Sequence, residues 1–179
     1  EAHEEGTPVM RPMVFEFMND PAVPYLDQQY MLGDALMVAP VFREDKVAQY
    51  YLPEGTWTEL LTGETKEGGR WYKGTYDYFS MPLYIRENSI VVRGNCDTRP
   101  DYDYADHATV CVYQLKDAAE TKVPDVHGNT VFTVKAVKEG DAVKVSVEGA
   151  HTELKVEVFV GNEKKEAVLA ADADEVVVA

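Results

Sequence analysis

The sequence predicts a mainly β protein whose bulk is two antiparallel β-sandwich domains. Short apolar runs recur along the chain, and Gly, Pro, Asn and Asp separate them, as turns separate strands. The only helical signal is confined to the few residues between Pro21 and Gln28. A length of 179 residues, 45% of them hydrophobic, suits one large or two small domains with real cores.

The first strand signal runs from Val9 to Phe17 and has apolar residues on both faces. This pattern predicts a strand buried on both sides, which is usual in parallel sheets, including barrels of eight strands and helices. Asn19, Asp20 and Pro21 then indicate a turn or a helix start. Pro24 restricts any helix that follows to a short one.

Residues 29–94 are predicted to form the proximal β-sandwich. Their strands are short, and tight turns such as Pro53-Glu54-Gly55 and Glu87-Asn88 separate them, as expected of hairpins. The predicted strands include Leu36–Phe42, Gln49–Pro53, Thr56–Leu61, Met81–Arg86 and Ser89–Arg93.

Residues 95–107 are predicted to be a linker, because they are polar and contain Pro100 and four aspartates. Residues 108–179 are predicted to form a smaller, distal β-domain. Thr130–Ala136 and Val143–Glu148 alternate between apolar and polar residues, as half-buried strands do. The turn between them contains Gly140, a residue type that tolerates a positive φ.

The charge balance narrows the classes of partner. The chain has 32 acidic and 17 basic residues, for a formal net charge of -15. Such a field repels phosphate backbones and anionic lipid surfaces, so we expect no nucleic acid and no membrane partner. No apolar run approaches the roughly 20 residues that span a bilayer.

Targeting signals do not reveal the compartment, whereas the cysteines bear on it. Residues 1–5 have neither the basic start nor the apolar stretch of a signal peptide. Cys96 and Cys111 are the only cysteines, which favours two unpaired thiols in a reducing cytosol. A Cys96–Cys111 bridge is the alternative. We expect a cytoplasmic location.

Two charged residues, Arg11 and Glu16, interrupt the first apolar strand. A buried charge needs a partner, so structural ion pairs are the favoured interpretation. A spacing of five puts the two side chains on opposite faces of a strand, so we expect each to pair elsewhere. The alternative for Glu16 is a substrate-site neighbour, because barrel enzymes place their sites at the C-terminal ends of strands. Structural roles are also expected for Tyr30 and for the turn residues Gly33 and Asp34.

Asp101, Asp103, Asp106 and His107 form the one acidic cluster with ligand-like spacing. Oxygen ligands at alternating positions could hold Ca²⁺, but the central Gly and late Glu of a calcium loop are absent. A solvated linker is therefore favoured over a weak calcium site. The histidines are isolated, and no phosphate-cradling glycine loop is present, so we expect no cofactor and no metal.

Aromatic residues are concentrated in the proximal domain, at Trp57, Trp71, Tyr72, Tyr76 and Tyr78. Aromatic faces suit sugar rings, which makes Trp57 and Trp71 candidates for substrate binding. More often such residues fill a sandwich core or an interface, and that is the favoured interpretation. The sugar-binding interpretation predicts exposed, coplanar rings, whereas the structural interpretation predicts buried ones.

Several of these segments carry a resemblance to a known family. They are Gly6–Phe17, Gln29–Val41, Tyr50–Thr58, Pro82–Ile90 and Arg99–Asp106. Together they resemble the part of glycoside hydrolase family 31 enzymes that closes the catalytic barrel and opens the C-terminal β-domains. The α-xylosidase-like branch is the most similar, and the match fades beyond Leu115.

The resemblance implies that residues 1–28 are the remnant of the C-terminal end of a (β/α)8 catalytic barrel. The fold would then be two β-sandwiches preceded by the last barrel strand. It also implies a parent enzyme that is a retaining exo-α-glycosidase, an α-xylosidase or α-glucosidase acting on α-linked oligosaccharides. The partners would be the upstream catalytic barrel of the same polypeptide and the oligosaccharide substrate.

In that family the catalytic aspartates lie upstream of the matching segment. We therefore assign no catalytic residue to this chain and expect it to be inactive alone. The alternatives are a non-catalytic carbohydrate-binding module and an oligomerisation element, the latter giving a homo-oligomer. A lone barrel strand would have to be disordered, pair with an edge of the sandwich, or be covered by chain not present here.

Overall fold

The computed structural model describes residues 2–179, which fold into two compact units. The first unit ends at Arg86, and the second runs from Glu87 to Ala179. Strands dominate both units, so the predicted mainly β class is confirmed. Among these residues, no helix has the length and apolar character needed to cross a membrane.

The first unit contains three short helical segments and eight strands. In chain order they are α1 (Ala2–Glu5), β1 (Met10–Pro12), α2 (Met13–Glu16), a 3₁₀ helix (Val23–Tyr25), β2 (Tyr30–Leu32), β3 (Leu36–Val38), β4 (Val47–Leu52), β5 (Thr56–Glu59), β6 (Thr65–Glu67), β7 (Arg70–Thr75) and β8 (Leu83–Arg86).

The strands of the first unit form two sheets around one core. Six strands pair in the order β1-β2-β3-β8-β5-β6, and β4 pairs with β7. All of these pairs are antiparallel. Alternate residues of β4, namely Ala48, Tyr50 and Leu52, pack with Met37 and Trp57 in the core. Gln49, the polar residue of this strand, lies on the opposite face and is exposed.

The segment Val9–Phe17 is not the single strand that the sequence predicted. Only Met10–Pro12 is extended, and it pairs with β2 at the edge of the six-stranded sheet. The chain then turns into α2, where the Phe17 N–H donates to the Met13 carbonyl at 2.9 Å. An apolar run without clear periodicity does not separate a two-sided strand from a strand followed by a helical turn. Of the three outcomes anticipated for this segment, pairing with the sandwich edge is the one observed.

The second unit contains only strands and connecting turns. The strands are β9 (Ser89–Arg93), β10 (Thr109–Tyr113), β11 (Ala118–Pro124), β12 (Thr130–Glu139), β13 (Ala142–Gly149), β14 (Leu154–Val160), β15 (Glu163–Leu169) and β16 (Glu175–Val178).

These strands form two four-stranded sheets, ordered β15-β14-β10-β9 and β11-β12-β13-β16. The pair β10–β14 is parallel, so this sandwich is not purely antiparallel as predicted. Alternate residues of β10 and β12 meet in the core, where Val110, Val112, Phe132 and Val134 are buried. The predicted alternation of β12 and β13 is confirmed.

The structure divides the units at residue 86, whereas the sequence placed the domain boundary after residue 94. The reason is that β9 pairs with β10 along its whole length, from Ser89↔Tyr113 to Arg93↔Thr109. Residues 95–107, predicted as a linker, contain no strand. Ala105 nevertheless belongs to the buried core of the second unit.

Candidate functional site

An ionic network connects the N-terminal residues of the first unit to β8 of the six-stranded sheet. Arg11 Nη1 lies 2.7 Å from Glu16 Oε1, and Arg86 Nη1 lies 3.4 Å from Glu16 Oε2. The expectation that Arg11 and Glu16 pair with other residues is therefore wrong. The helical turn α2 brings Glu16 back over β1, which an extended chain would not do.

Main-chain contacts complete this network. Arg11 Nε donates to the Pro8 carbonyl at 2.8 Å, and Arg86 Nη1 donates to the Asp34 carbonyl at 3.2 Å. The Arg86 guanidinium also lies 5.2 Å from the centroid of the Phe17 ring, a cation–π distance. The arginines thus hold three separate segments in one arrangement.

The residues given structural roles lie beside this network. Gly33 has a φ of 65° and donates its N–H to the Val9 carbonyl at 2.7 Å, which joins the β2–β3 turn to the segment before β1. Tyr30 pairs with Pro12 on one side and with Val38 on the other. Each of these positions serves the placement of the N-terminal segment on the sheet.

Glu16 also borders a cleft of the first unit with a volume of about 680 Å³. Asp20 and Glu54 contribute further carboxylates to its lining. Gly68 forms part of the floor, and it approaches the Pro53 carbonyl so closely that a Cβ would overlap that oxygen. Each Glu16 oxygen bonds a guanidinium, one from Arg11 and one from Arg86. Glu16 therefore borders the cleft as part of a structural ion pair.

The two tryptophans occupy different environments. Trp57 is 1% exposed, and its indole N–H donates to the Pro53 carbonyl at 2.8 Å. Trp71 is 49% exposed and packs its ring against Tyr51, with 5.6 Å between centroids. Trp57 is thus a core residue with no face open to a sugar, and the pair does not form an exposed platform.

A cluster of three tyrosine hydroxyls and a lysine lies inside the first unit, and sequence reasoning missed it as a unit. Lys66 Nζ donates to Tyr50 OH at 3.0 Å and to Tyr84 OH at 2.5 Å. Tyr76 OH donates to Tyr50 OH at 3.2 Å. Burial raises the pKa of all three phenols, which keeps them neutral hydrogen-bonding groups. The cluster links β4, β6, the turn after β7 and β8 through hydrogen bonds beside the apolar core.

In the acidic segment of the second unit, the aspartates whose contacts are described interact with neighbouring residues of the same segment. Asp103 Oδ1 accepts a hydrogen bond from the Ala105 N–H at 3.0 Å. Asp106 lies 3.7 Å from the His107 ring nitrogen. Throughout residues 2–179, the side chains whose placement is described include no group of three or more His, Cys, Asp or Glu that could hold a metal ion. Asp101, Asp103 and Asp106 thus do not converge on one point.

Both cysteines are unpaired, and their environments differ. Cys111 is buried, and burial raises the pKa of its thiol to about 11. Its sulfur lies 3.7 Å from Oε2 of the buried Glu157, which Arg93 binds at 2.7 Å. Cys96 is only half-buried, and a hydrogen bond with the Thr98 side chain lowers the pKa of its thiol.

Comparison with protein families covers almost the whole chain. Residues 6–91 match the Glycosyl hydrolase family 31 C-terminal domain. Residues 103–179 match the C-terminal domain of Alpha-xylosidase YicI. The two matched ranges correspond closely to the two structural units.

Individual relatives match over most of this chain but over little of their own length. Alpha-xylosidase XylQ of Lactiplantibacillus pentosus is 33% identical over 88% of this chain and 21% of its own sequence. Alpha-glucosidase 2 of Bacillus thermoamyloliquefaciens is 30% identical over 91% of this chain and 20% of its own. The chain therefore spans about a fifth of the length of these relatives.

Solved structures likewise match almost the whole of this chain but only about a fifth of their own. A family 31 α-xylosidase from Xanthomonas citri has a TM-score of 0.77 at 26% identity, covering 99% of this chain and 22% of that one. The cycloalternan-forming enzyme from Listeria monocytogenes has a TM-score of 0.84 at 21% identity, covering 99% of this chain and 21% of that one. At that identity the second match shows the fold alone.

Proposed function

The chain belongs to glycoside hydrolase family 31 and comprises its C-terminal β-domains, and from this we propose that it supports the catalytic barrel of an α-glycosidase. The parent enzyme would be a retaining exo-α-glycosidase, an α-xylosidase or α-glucosidase that acts on α-linked oligosaccharides. The names of the relatives, alpha-xylosidase and alpha-glucosidase, support this choice of substrate class. A cytoplasmic location fits the two unpaired thiols.

The observation that carries the proposal is a group of exposed apolar side chains near the start of the chain. We call these residues the N-terminal apolar segment: Val9, Met10, Val14, Phe15 and Met18, which are 56%, 60%, 46%, 52% and 76% exposed. Clusters of large exposed apolar residues mark sites where another protein surface docks. The Arg11–Glu16 ion pair fixes this segment, so its apolar side chains are presented in a set arrangement.

The proposed occupant of this surface is the upstream catalytic barrel of the same polypeptide. The relatives carry about four-fifths of their sequence outside the matched region, which leaves ample chain for a barrel. A retaining mechanism needs two carboxylates about 5 Å apart, one as nucleophile and one as general acid and base. In the proposed enzyme the barrel supplies both, and this chain positions the barrel's closing segment.

Hydrolysis of p-nitrophenyl α-D-xyloside and α-D-glucoside tests the proposal. We expect no hydrolysis above buffer by the purified 179-residue chain, and hydrolysis by the longer polypeptide that carries it. Proton NMR of the first-formed product should show the α-anomer, as retention requires. Activity of the rigorously purified chain alone would refute the assignment of chemistry to the barrel.

Charge substitution then tests the docking surface. In the longer polypeptide, Phe15→Asp combined with Met18→Asp should lower the yield of active enzyme. Val126→Asp is the matched control, since Val126 is 55% exposed in a turn of the second unit. If the isolated chain instead dimerises through this segment, and the double variant becomes monomeric with normal activity, the segment is an oligomerisation surface.

A further inference from the structure

A second cleft of the first unit combines aromatic and charged residues. It has a volume of about 410 Å³ and lies between the turn before β4, at Arg43–Lys46, and the turn after β7, at Asp77–Ser80. Tyr76 and Tyr78 line it, together with polar residues from both turns. This combination of aromatic and hydrogen-bonding groups in a concavity is typical of small-molecule sites.

The first wall of the cleft is held by its own hydrogen bonds. Arg43 and Asp45 form an ion pair with 2.5 Å between Nη2 and Oδ2, and Asp45 Oδ1 accepts the Val47 N–H at 3.1 Å. Lys46 has a φ of 61°, which is uncommon for a residue with a Cβ, and its N–H donates to the Arg43 carbonyl at 3.0 Å. These hydrogen bonds fix the backbone of the turn that carries the polar side chains of this wall.

The second wall is ordered in the same way. Asp77 Oδ1 accepts the Phe79 N–H at 2.9 Å and the Ser80 hydroxyl at 2.7 Å. The Tyr76 N–H donates to the Lys46 carbonyl at 2.9 Å, which links the two walls. A cleft ordered before binding loses little conformational entropy when a ligand enters, and this favours binding by a small ligand.

Tyr78 presents an exposed aromatic ring at the cleft. It is 93% exposed, and Lys46 Nζ lies 5.3 Å from its centroid. The surrounding charges have both signs, with Arg43 and Lys46 opposed by Glu44 and Asp77. Mixed charge favours neither an anion nor a cation, but it offers donors and acceptors to a neutral ligand with many hydroxyls.

We propose that this cleft binds a neutral pyranose unit of an α-linked oligosaccharide, with its C–H face on Tyr78 and its hydroxyls bonded to the charged side chains. The choice of α-linked sugars rests on the proposed function. The site would hold the oligosaccharide non-covalently. It gives the chain a binding role beyond the support of a barrel.

Titration of the purified chain with maltotriose and isomaltotriose, followed by ¹H–¹⁵N NMR, tests this inference. We expect saturable shifts at amides of Lys46, Tyr76 and Ser80, and none from sorbitol, which has hydroxyls but no ring. Tyr78→Ala should weaken binding roughly three- to ten-fold, as the loss of one aromatic contact implies. Tyr78→Trp should retain it, because the larger ring keeps the stacking face.

Phe79→Ala is the matched control. Phe79 is 92% exposed and adjacent in the chain, but it does not line the cleft. Its substitution should change sugar affinity by less than about two-fold, within the scatter expected of a surface substitution away from the site. Equal weakening by Phe79→Ala and Tyr78→Ala would overturn the cleft as the site and point to a general apolar loop surface.

Absence of saturable binding of both sugars by the folded wild-type chain would also overturn the inference, as would equal shifts with sorbitol. The two proposals fail separately. A longer polypeptide that hydrolyses α-glycosides while this chain binds no sugar refutes only the cleft. A chain that binds sugar in a polypeptide without hydrolytic activity refutes only the proposed enzyme.

Discussion

Arg11 and Glu16, five residues apart, form an ion pair with 2.7 Å between Nη1 and Oε1. The Arg11 side chain is 4% exposed and that of Glu16 is 16% exposed, so solvent screens the pair weakly. The contact exists because β1 ends at Pro12 and α2 reverses the direction of the side chains that follow. It fixes the N-terminal apolar segment to the sheet.

Glu16→Gln should destabilise the first unit by roughly 2–4 kcal/mol, because it leaves two guanidinium groups without this carboxylate. Urea unfolding followed by tryptophan fluorescence measures the change, since both tryptophans lie in this unit. Glu67→Gln makes the same substitution in an exposed pair with Arg70, where the side chains are 83% and 57% exposed. That control should cost less than about 0.5 kcal/mol. Similar losses from both variants would contradict the structural role of the buried pair.

Tryptophan fluorescence should separate the buried indole from the exposed one. In Trp71→Phe only Trp57 emits, and we expect blue-shifted emission with weak quenching by acrylamide because the ring is buried. In the wild type, the additional signal from Trp71 should be red-shifted and readily quenched. Strong quenching in Trp71→Phe would show that Trp57 is open to solvent and available to a sugar after all.

The two thiols should react at very different rates. With iodoacetamide at pH 8, mass spectrometry should show one rapid label on Cys96, whose thiol pKa is lowered and whose side chain is partly exposed. Cys111 should be labelled only after unfolding, since it is buried and the pKa of its thiol is about 11. Cys96→Ser should abolish the rapid label and Cys111→Ser should preserve it. Rapid double labelling of the native chain would contradict this placement.

Stability should fall in alkaline solution. Burial raises the pKa of Cys111 to about 11 and raises the pKa of Tyr113, so the folded chain keeps protons that the unfolded chain has released. Between about pH 9 and pH 11 the folded state binds more protons, and the free energy of unfolding therefore decreases as pH rises. Thermal unfolding from pH 7 to pH 10.5 measures the slope. Cys111→Ala should make the slope shallower, and a stability that is constant or rising over this range would contradict the assignment.

Local sequence patterns predicted much of the fold. The alternation in Thr130–Ala136 and Val143–Glu148 selected the buried faces of β12 and β13 before any partner strand was known. Period-two alternation works here because one face of each strand packs on a single core. The same reasoning is uninformative at Val9–Phe17, where both faces are apolar and a strand and a helical turn look alike.

Which of the candidate site residues are exposed could be decided only from the tertiary structure. Trp57 and Trp71 are the same residue type and both lie in strands, but one is 1% exposed and the other 49%. The difference arises because Trp57 faces the core between two sheets and Trp71 lies outward on β7. On the sequence alone, both residues carry the same interpretation.

The sequence by itself determined the family, the mainly β class and the positions of most strands, because these follow from motifs and from local periodicity. Only the tertiary structure decided that Arg11 meets Glu16, that β9 joins the second unit, and that Tyr76 and Tyr78 line one cleft. Each of these relationships depends on how the chain turns and which strands pair. The pairing of β9 with β10 is set by packing of the whole unit. The reversal at α2 falls in an apolar run whose periodicity is ambiguous, so local patterns revealed neither.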